Sequence, residues 1–306
     1  TISHAGRSPV PIETVGRTTS WRRSVTETLT SPLILESLPL GTRFQRVAFV
    51  AAATVAETVL TELPAPLGRV AIVTGTDPNA TPASDELLVL AVPLIDETDP
   101  DLLNRVRNWA DPPSISGERA GQLLTLQGAR VVWNPTRVVV LVAPERLDTV
   151  LKAIVEVAYY ETELRAIETK LAALWPDLEA VIPLAFEFAE RSVRHRRKLA
   201  EQFRQVFTLR ARLARVTPHV LAPHIHPPTL ATQLSERLRE HTRMAHRVES
   251  LDTQLDVFER LYEGCGQKTS EFMVARTGHA LEWIIIILLL AQIILLSIDL
   301  LQTVGN

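Results

Sequence analysis

The densest concentration of chemistry-bearing side chains in this chain lies between Arg191 and Arg215, where nine arginines and lysines stand against one acid, Glu201. Guanidinium and ammonium groups packed this closely can hold phosphate oxygens, of lipid headgroups or of RNA, or the carboxylates of an acidic protein partner. Arg191, Arg194, Arg196, Arg197, Lys198 and Arg204 form the candidate contact surface. Directly upstream, residues 151–190 are acidic, with Glu156, Glu161, Glu163, Glu168, Asp177, Glu179, Glu187 and Glu190 against three basic residues. A second reading is therefore an acidic helix paired with, or simply preceding, a basic one, both facing water.

Other candidate chemistry is sparse. His219, His224 and His226 make an H-x4-H-x-H group in a proline-rich stretch. A metal site would need converging neutral imidazoles and normally a carboxylate or thiolate as well, and the stretch holds no Asp, Glu or Cys. A structural loop tucked beside helices is the favoured reading. The single cysteine, Cys265, excludes an internal disulfide framework, and only Lys268 stands near enough in sequence to favour a thiolate. There is no phosphate loop of the form G-x-x-x-x-G-K-[ST], no G-x-G-x-x-G after a strand and no G-x-S-x-G elbow. No catalytic residue, cofactor, metal or small-molecule substrate is expected.

The elements that must carry these residues fall into two halves. Residues 41–150 read as an α+β or α/β domain, with short apolar strands at Arg69–Thr74, Leu87–Val92 and Arg137–Val142, each bounded by turn residues. Arg130–Asn134 is a further strand, turning at Asn134-Pro135 into Arg137–Val142 as a hairpin. Pro100–Trp109 and Glu145–Val157 have helical patterns, whereas Arg46–Val55 fits a strand or a helix equally. Residues 1–40 read as a polar extended arm. The Ser, Thr and Arg in residues 1–31 suit the remainder of an organelle-targeted precursor; Glu13 and Glu27 interrupt that pattern, and a plain flexible arm is the other reading.

Residues 151–280 read as a helical hairpin or coiled coil. Tyr160, Leu164, Ile167, Leu171 and Leu174 form one apolar stripe, and Phe188, Leu199, Phe203, Val206, Leu209 and Leu213 a second. Thr217–Thr229 has four prolines and cannot be helical throughout. A third helix is expected from near Ala231, with Leu234, Leu238, Ala245, Val248, Leu251, Leu255, Phe258 and Tyr262 on its seam. Gly264-Cys265-Gly266 reads as a kink or short break.

The last segment, residues 281–302, reads as a transmembrane helix. Within Trp283–Leu301 only Gln292, Ser297 and Asp299 interrupt the apolar run, and nineteen helical residues span roughly 28 Å. The mean hydropathy of the whole chain is +0.11, yet without residues 283–301 the remainder averages about −0.06. Glu282, Trp283, Ile284 and Asp299 define the anchor: Trp283 sits where an interfacial aromatic belongs, Glu282 at the boundary. Asp299 requires either the far interface or a partner within a helical assembly. Lys268, Arg276 and His279 on the N-terminal flank place the bulk of the chain on the matrix or cytoplasmic side.

The stretch Arg276-Thr-Gly-His-Ala-Leu-Glu-Trp-Ile-Ile-Ile-Ile-Leu-Leu-Leu290 resembles the terminal signature of the "required for meiotic nuclear division" family, whose members close with a long helical hairpin and one membrane helix. Ala129–Asn134, His195–Arg210 and Leu251–Leu261 are similar to the family's apolar–Trp strand, basic helix and last helix before the membrane. The likeness covers about residues 120–300 and is most specific at Leu281-Glu282-Trp283-Ile284. It implies a single-pass protein of the mitochondrial inner membrane with its bulk in the matrix, its C-terminus toward the intermembrane space, and a link to mitochondrial translation. Gly278-His279 departs from the more basic stretch usual there.

Two functions follow. The first is a non-catalytic accessory subunit of a large inner-membrane complex, of the respiratory chain or ATP synthase, in contact with other subunits and with anionic lipids. The alternative is a membrane tether supporting mitochondrial translation. RNA or ribosome contact is less favoured, because the net charge is −3 and aromatics make up only 5% of the chain.

Overall fold

Two runs of aliphatic residues dictate the centre of the molecule. Glu86–Pro93 and Arg137–Val142 are apolar on both faces, so each must be a strand covered above and below. They form β4 and β7 and pair in parallel, Leu88 opposite Arg137 and Val92 opposite Leu141. The structure, a computed structural model, describes residues 38–52, 58–77, 82–83, 85–94, 100–111, 121–186, 196–222 and 228–304. The arm expected over residues 1–40 lies outside them as far as residue 37.

Five further strands complete the sheet: β1 (Arg43–Ala51), β2 (Val59–Glu62), β3 (Arg69–Gly75), β5 (Gln122–Leu126) and β6 (Ala129–Asn134). The seven strands lie in the order β2-β3-β1-β4-β7-β6-β5, and every neighbouring pair except β4–β7 is antiparallel. The chain is thus α+β. The ambiguous run after Arg46 is a strand, and Asn134-Pro135-Thr136-Arg137 closes the expected β6–β7 hairpin. Neither β2 nor β5 was anticipated from sequence. The β5–β6 turn is made by Gln127 and Gly128, both at positive φ (47° and 81°), the geometry of a two-residue hairpin that matches strand twist.

A parallel pair needs a crossover. Between β4 and β7 the chain supplies α1 (Pro100–Ala110), which covers one face of the sheet. There Trp109 meets Phe44 edge-on at 5.4 Å, and the Arg137 guanidinium lies 5.3 Å over the indole while donating to the Trp109 carbonyl. On the other face Val138, Val140 and Val142 pack against Leu147, Leu151 and Ile154 of α2 (Pro144–Phe186, 43 residues).

Beyond the sheet, α2 continues into a three-helix bundle with α3 (Arg196–Val220) and α5 (Met244–Val304, 61 residues), while α4 (Leu230–His241) packs between α2 and β5. Cross-bundle contacts fix the directions. Glu163 meets Arg212 and Asp177 meets Lys198, so α2 and α3 are antiparallel. Glu168 meets Arg247, Trp175 meets Phe258, and the Val181 carbonyl lies 4.0 Å from Cys265 Sγ, so α2 and α5 run parallel. One continuous core reaches from Val47 in the sheet to Cys265 in α5. The predicted stripes are its wall: Tyr160, Leu164, Ile167 and Leu171 are buried, as are Leu199, Val206, Leu209 and Leu213, while Phe188 lies outside the described residues.

Two local expectations are corrected. The third helix is divided at Thr242-Arg243: Arg243 adopts φ 53°, the left-handed cap that ends a helix, and Thr242 Oγ1 donates to the Leu238 carbonyl. At the break Met244 is buried where Ala245 was expected and Ala245 is exposed, while Val248, Leu251, Leu255, Phe258 and Tyr262 are buried as expected. Gly264-Cys265-Gly266, by contrast, breaks nothing, and α5 runs through it, because burying Cys265 at 1% exposure offsets the poor helix propensity of its neighbours. Thr217–Val220 closes α3 with Pro218 still helical, and residues 223–227, with His224 and His226, lie outside the described residues.

Candidate functional site

The first candidate site is the far end of α5. The helix leaves the bundle after Cys265 and continues without interruption into Thr277–Leu295, nineteen residues of mean hydropathy 2.1, none of them buried. It is the one helix among the described residues long and apolar enough to cross a membrane. Trp283 and Ile284 are exposed, and Glu282 lies 3.2 Å from His279 one turn earlier, an exposed pair at the entrance to the apolar run. Asp299 stands in the last helical turns, seven positions after Gln292 and therefore on the same face.

The second candidate site, the basic run, is divided by the structure. Its C-terminal half turns inward. Arg210 reaches across to α5 and holds Asp252 at 2.6 Å and Asp256 at 2.9 Å, with Glu259 at 3.8 Å. Arg212 holds Glu163 at 2.6 Å, an attachment that raises its pKa against the opposing effect of burial. These arginines clamp the bundle. Of the six candidate contact residues, Arg191 and Arg194 lie outside the described residues, and Arg196 begins α3. Arg197, Lys198 and Arg204 are exposed. Lys198 pairs with Asp177 at 2.9 Å and holds that carboxyl below its usual range; Arg204 pairs with Glu201 one turn away. Exposed pairs of this kind are worth little and exchange readily with other partners.

A charge cluster not foreseen from sequence lies at the level of the sheet. Arg247 donates to Glu168 through two nitrogens, at 2.7 and 3.0 Å, and to Glu161, which is also held by Arg165 at 3.2 Å. The Arg247 side chain is 14% exposed and that of Glu161 only 5%. Burial opposes the Arg247 charge, but the two carboxylates outweigh it and its pKa is raised. The sequence signal was present in the spacing of Glu161 and Glu168, seven apart and so on one helix face. Their partner lies on a different element.

A cleft of about 550 Å³ opens beside this cluster, between Phe49 and Arg69 of the sheet and Tyr159, Glu163 and Arg212 of the helices. Four of its charged groups pair within it, Glu161 with Arg165 and Glu163 with Arg212, and no histidine, cysteine or serine lines it among the described residues. His219 stacks on Tyr160 (6.1 Å between ring centres, 9° between planes) rather than facing other ligands, and among the described residues no three His, Cys, Asp or Glu side chains gather as a metal site would require. Cys265 is buried, which pushes its thiol above the usual range.

No protein-family model, no curated protein and no solved structure matches this chain.

Proposed function

We propose that this protein is a membrane-anchored scaffold without catalytic chemistry of its own, working as an accessory subunit of a larger membrane assembly. One observation carries the reading. A single 61-residue helix contributes its first third to the protein core, continues through a polar stem and presents residues 277–295 as an apolar rod. A rigid connection of this kind transmits position; a body tethered by a loose linker would keep no fixed orientation to the bilayer.

The polar positions within the rod support a partner in the membrane. Gln292 and Asp299 share a face with Ile285, Leu288 and Leu295 by heptad spacing. In hydrocarbon, amide and carboxyl groups find hydrogen-bond partners on neighbouring helices, at roughly 0.6–2 kcal/mol each. The resemblance at Leu281-Glu282-Trp283-Ile284 extends the proposal to the mitochondrial inner membrane, with the sheet and bundle in the matrix and a respiratory complex or ATP synthase as the assembly. The translation-tether alternative draws on the same resemblance and on the basic run, but Arg210 and Arg212 are committed to internal carboxylates.

Blue-native electrophoresis with mass spectrometry of the native membrane tests the proposal. Stoichiometric co-migration with a membrane complex is the expected result. A substoichiometric presence in every complex overturns the subunit reading, and salt-sensitive co-sedimentation with ribosomes replaces it with the tether.

A further inference from the structure

Antiparallel packing brings the start of α3 to the end of the bundle from which the apolar rod departs. Phe203 lies 6.3 Å from Tyr262, and Arg210 faces Asp252 and Asp256, so counting back along α3 sets Arg197 level with about residue 268 of α5. Beyond the level of Cys265 the charges are mostly basic. Arg196, Arg197 and Lys198 begin α3, and the stem of α5 adds Lys268 and Arg276, against Glu271 and, paired with His279 at the entrance to the apolar run, Glu282. Just behind this end lie the exposed Glu179 and Glu263, together with Asp177 and Glu201, which Lys198 and Arg204 engage. Ile182, at the close of α2, adds an apolar side chain that is 42% exposed at the same end.

We propose that this end of the bundle rests on an anionic phospholipid surface, with Arg197 and Lys198 against the headgroup phosphates. The proposal depends on the apolar rod spanning the bilayer. From the level of Arg197 to Thr277 is about nine residues, roughly 14 Å of helix. The headgroup layer occupies about 5–8 Å of that on each leaflet, and the Debye length at physiological salt is about 8 Å, so the cationic end lies inside the surface potential. Ordinary tilt of a membrane helix by about 20° lowers one side of the body further. Basic residues flanking a span on its body side are attracted to anionic lipid, each strengthening the contact roughly fivefold. Burying the stems of Arg197 and Lys198 against the interface while their charges meet phosphate also accounts for an exposed isoleucine beside them.

The test uses the full chain in nanodiscs of phosphatidylcholine alone and of phosphatidylcholine with phosphatidylglycerol. Hydrogen exchange is read for the amides of residues 196–204. The expected result is roughly fivefold slower exchange in the anionic discs, abolished by high salt and by Arg197→Glu with Lys198→Glu, and retained in Arg237→Glu, a charge change at the other end of the bundle. Co-elution with the disc is scored on the same samples. A chain that fails to co-elute overturns the membrane anchor and this proposal with it. A chain that co-elutes but exchanges equally in both lipids leaves the anchor standing and overturns headgroup docking; protection gained instead on adding RNA assigns the surface to nucleic acid.

Discussion

Arg247 and Glu168 meet in a two-pronged ion pair, at 2.7 and 3.0 Å, that joins the first turn of α5 to the middle of α2. The same guanidinium also reaches Glu161, so the point where the long helix begins is fastened to the helix that underlies the sheet. The long helix α5 is thereby fixed to the body by charge as well as by apolar packing.

Removing Arg247 leaves Glu161 buried with only Arg165 beside it. Arg247→Met is expected to destabilise the protein by about 3 kcal/mol, the cost of stranding a buried charge. Glu161→Gln in the same background should recover part of that loss. Urea unfolding followed by tryptophan fluorescence measures both, and equal stability of Arg247→Met and the parent would refute the fastening.

Gln202 offers a stabilising change. The residue is 4% exposed, and its side-chain amide, beside the Asp177 carboxylate, makes no hydrogen bond of ordinary geometry. Gln202→Met keeps the length of the side chain and removes the desolvated amide, so a gain of about 1 kcal/mol is expected in the same assay. A loss of stability would mean that the amide is satisfied in solution.

How much of this was legible in the sequence depended on where each interaction lay. β4 and β7 were readable because strands covered on both faces become continuous apolar runs. β5, with Leu123 38% exposed, and the four-residue edge strand β2 have neither the length nor the alternation to stand out. Glycine misled at Gly264 and Gly266, where packing overrode propensity, and its absence misled at Arg243, where an arginine takes the left-handed cap that a glycine would have announced. The apolar rod was plain because composition alone decides it. The Arg247 cluster was not, since its members are contributed by helices distant in sequence.

One ion pair gives a pH signature. The Arg46 guanidinium and the Ala83 amide both donate to Glu86, holding its carboxyl below the ordinary 4.5. A depressed carboxylate stabilises the fold at pH above its unfolded value, and that contribution is lost as pH falls through the folded value. The difference in melting temperature between the parent and Glu86→Gln should therefore be full near neutrality and shrink below about pH 4.5. A difference independent of pH contradicts this.

Charge placed in the middle of the apolar rod tests its role by energy. Ile286→Arg should cost about 2.5–3.5 kcal/mol of insertion free energy and release a substantial fraction of the protein to alkaline carbonate. Ile286→Leu should remain entirely in the membrane. Identical extraction of the two would show that residues 277–295 do not enter hydrocarbon.

The central claim is that α5 crosses the bilayer with the sheet and bundle on one side of it, and single-cysteine accessibility addresses it most directly. With Cys265 replaced by serine, cysteine is introduced either at Val257, exposed on the bundle, or at Val304, at the end of α5. Sealed membrane vesicles of one orientation are then treated with an impermeant maleimide. The account predicts opposite outcomes at the two positions: one labels in intact vesicles, and the other labels only after the membrane is permeabilised. Equal labelling of both in intact vesicles would place the two ends of the helix on the same side and contradict it.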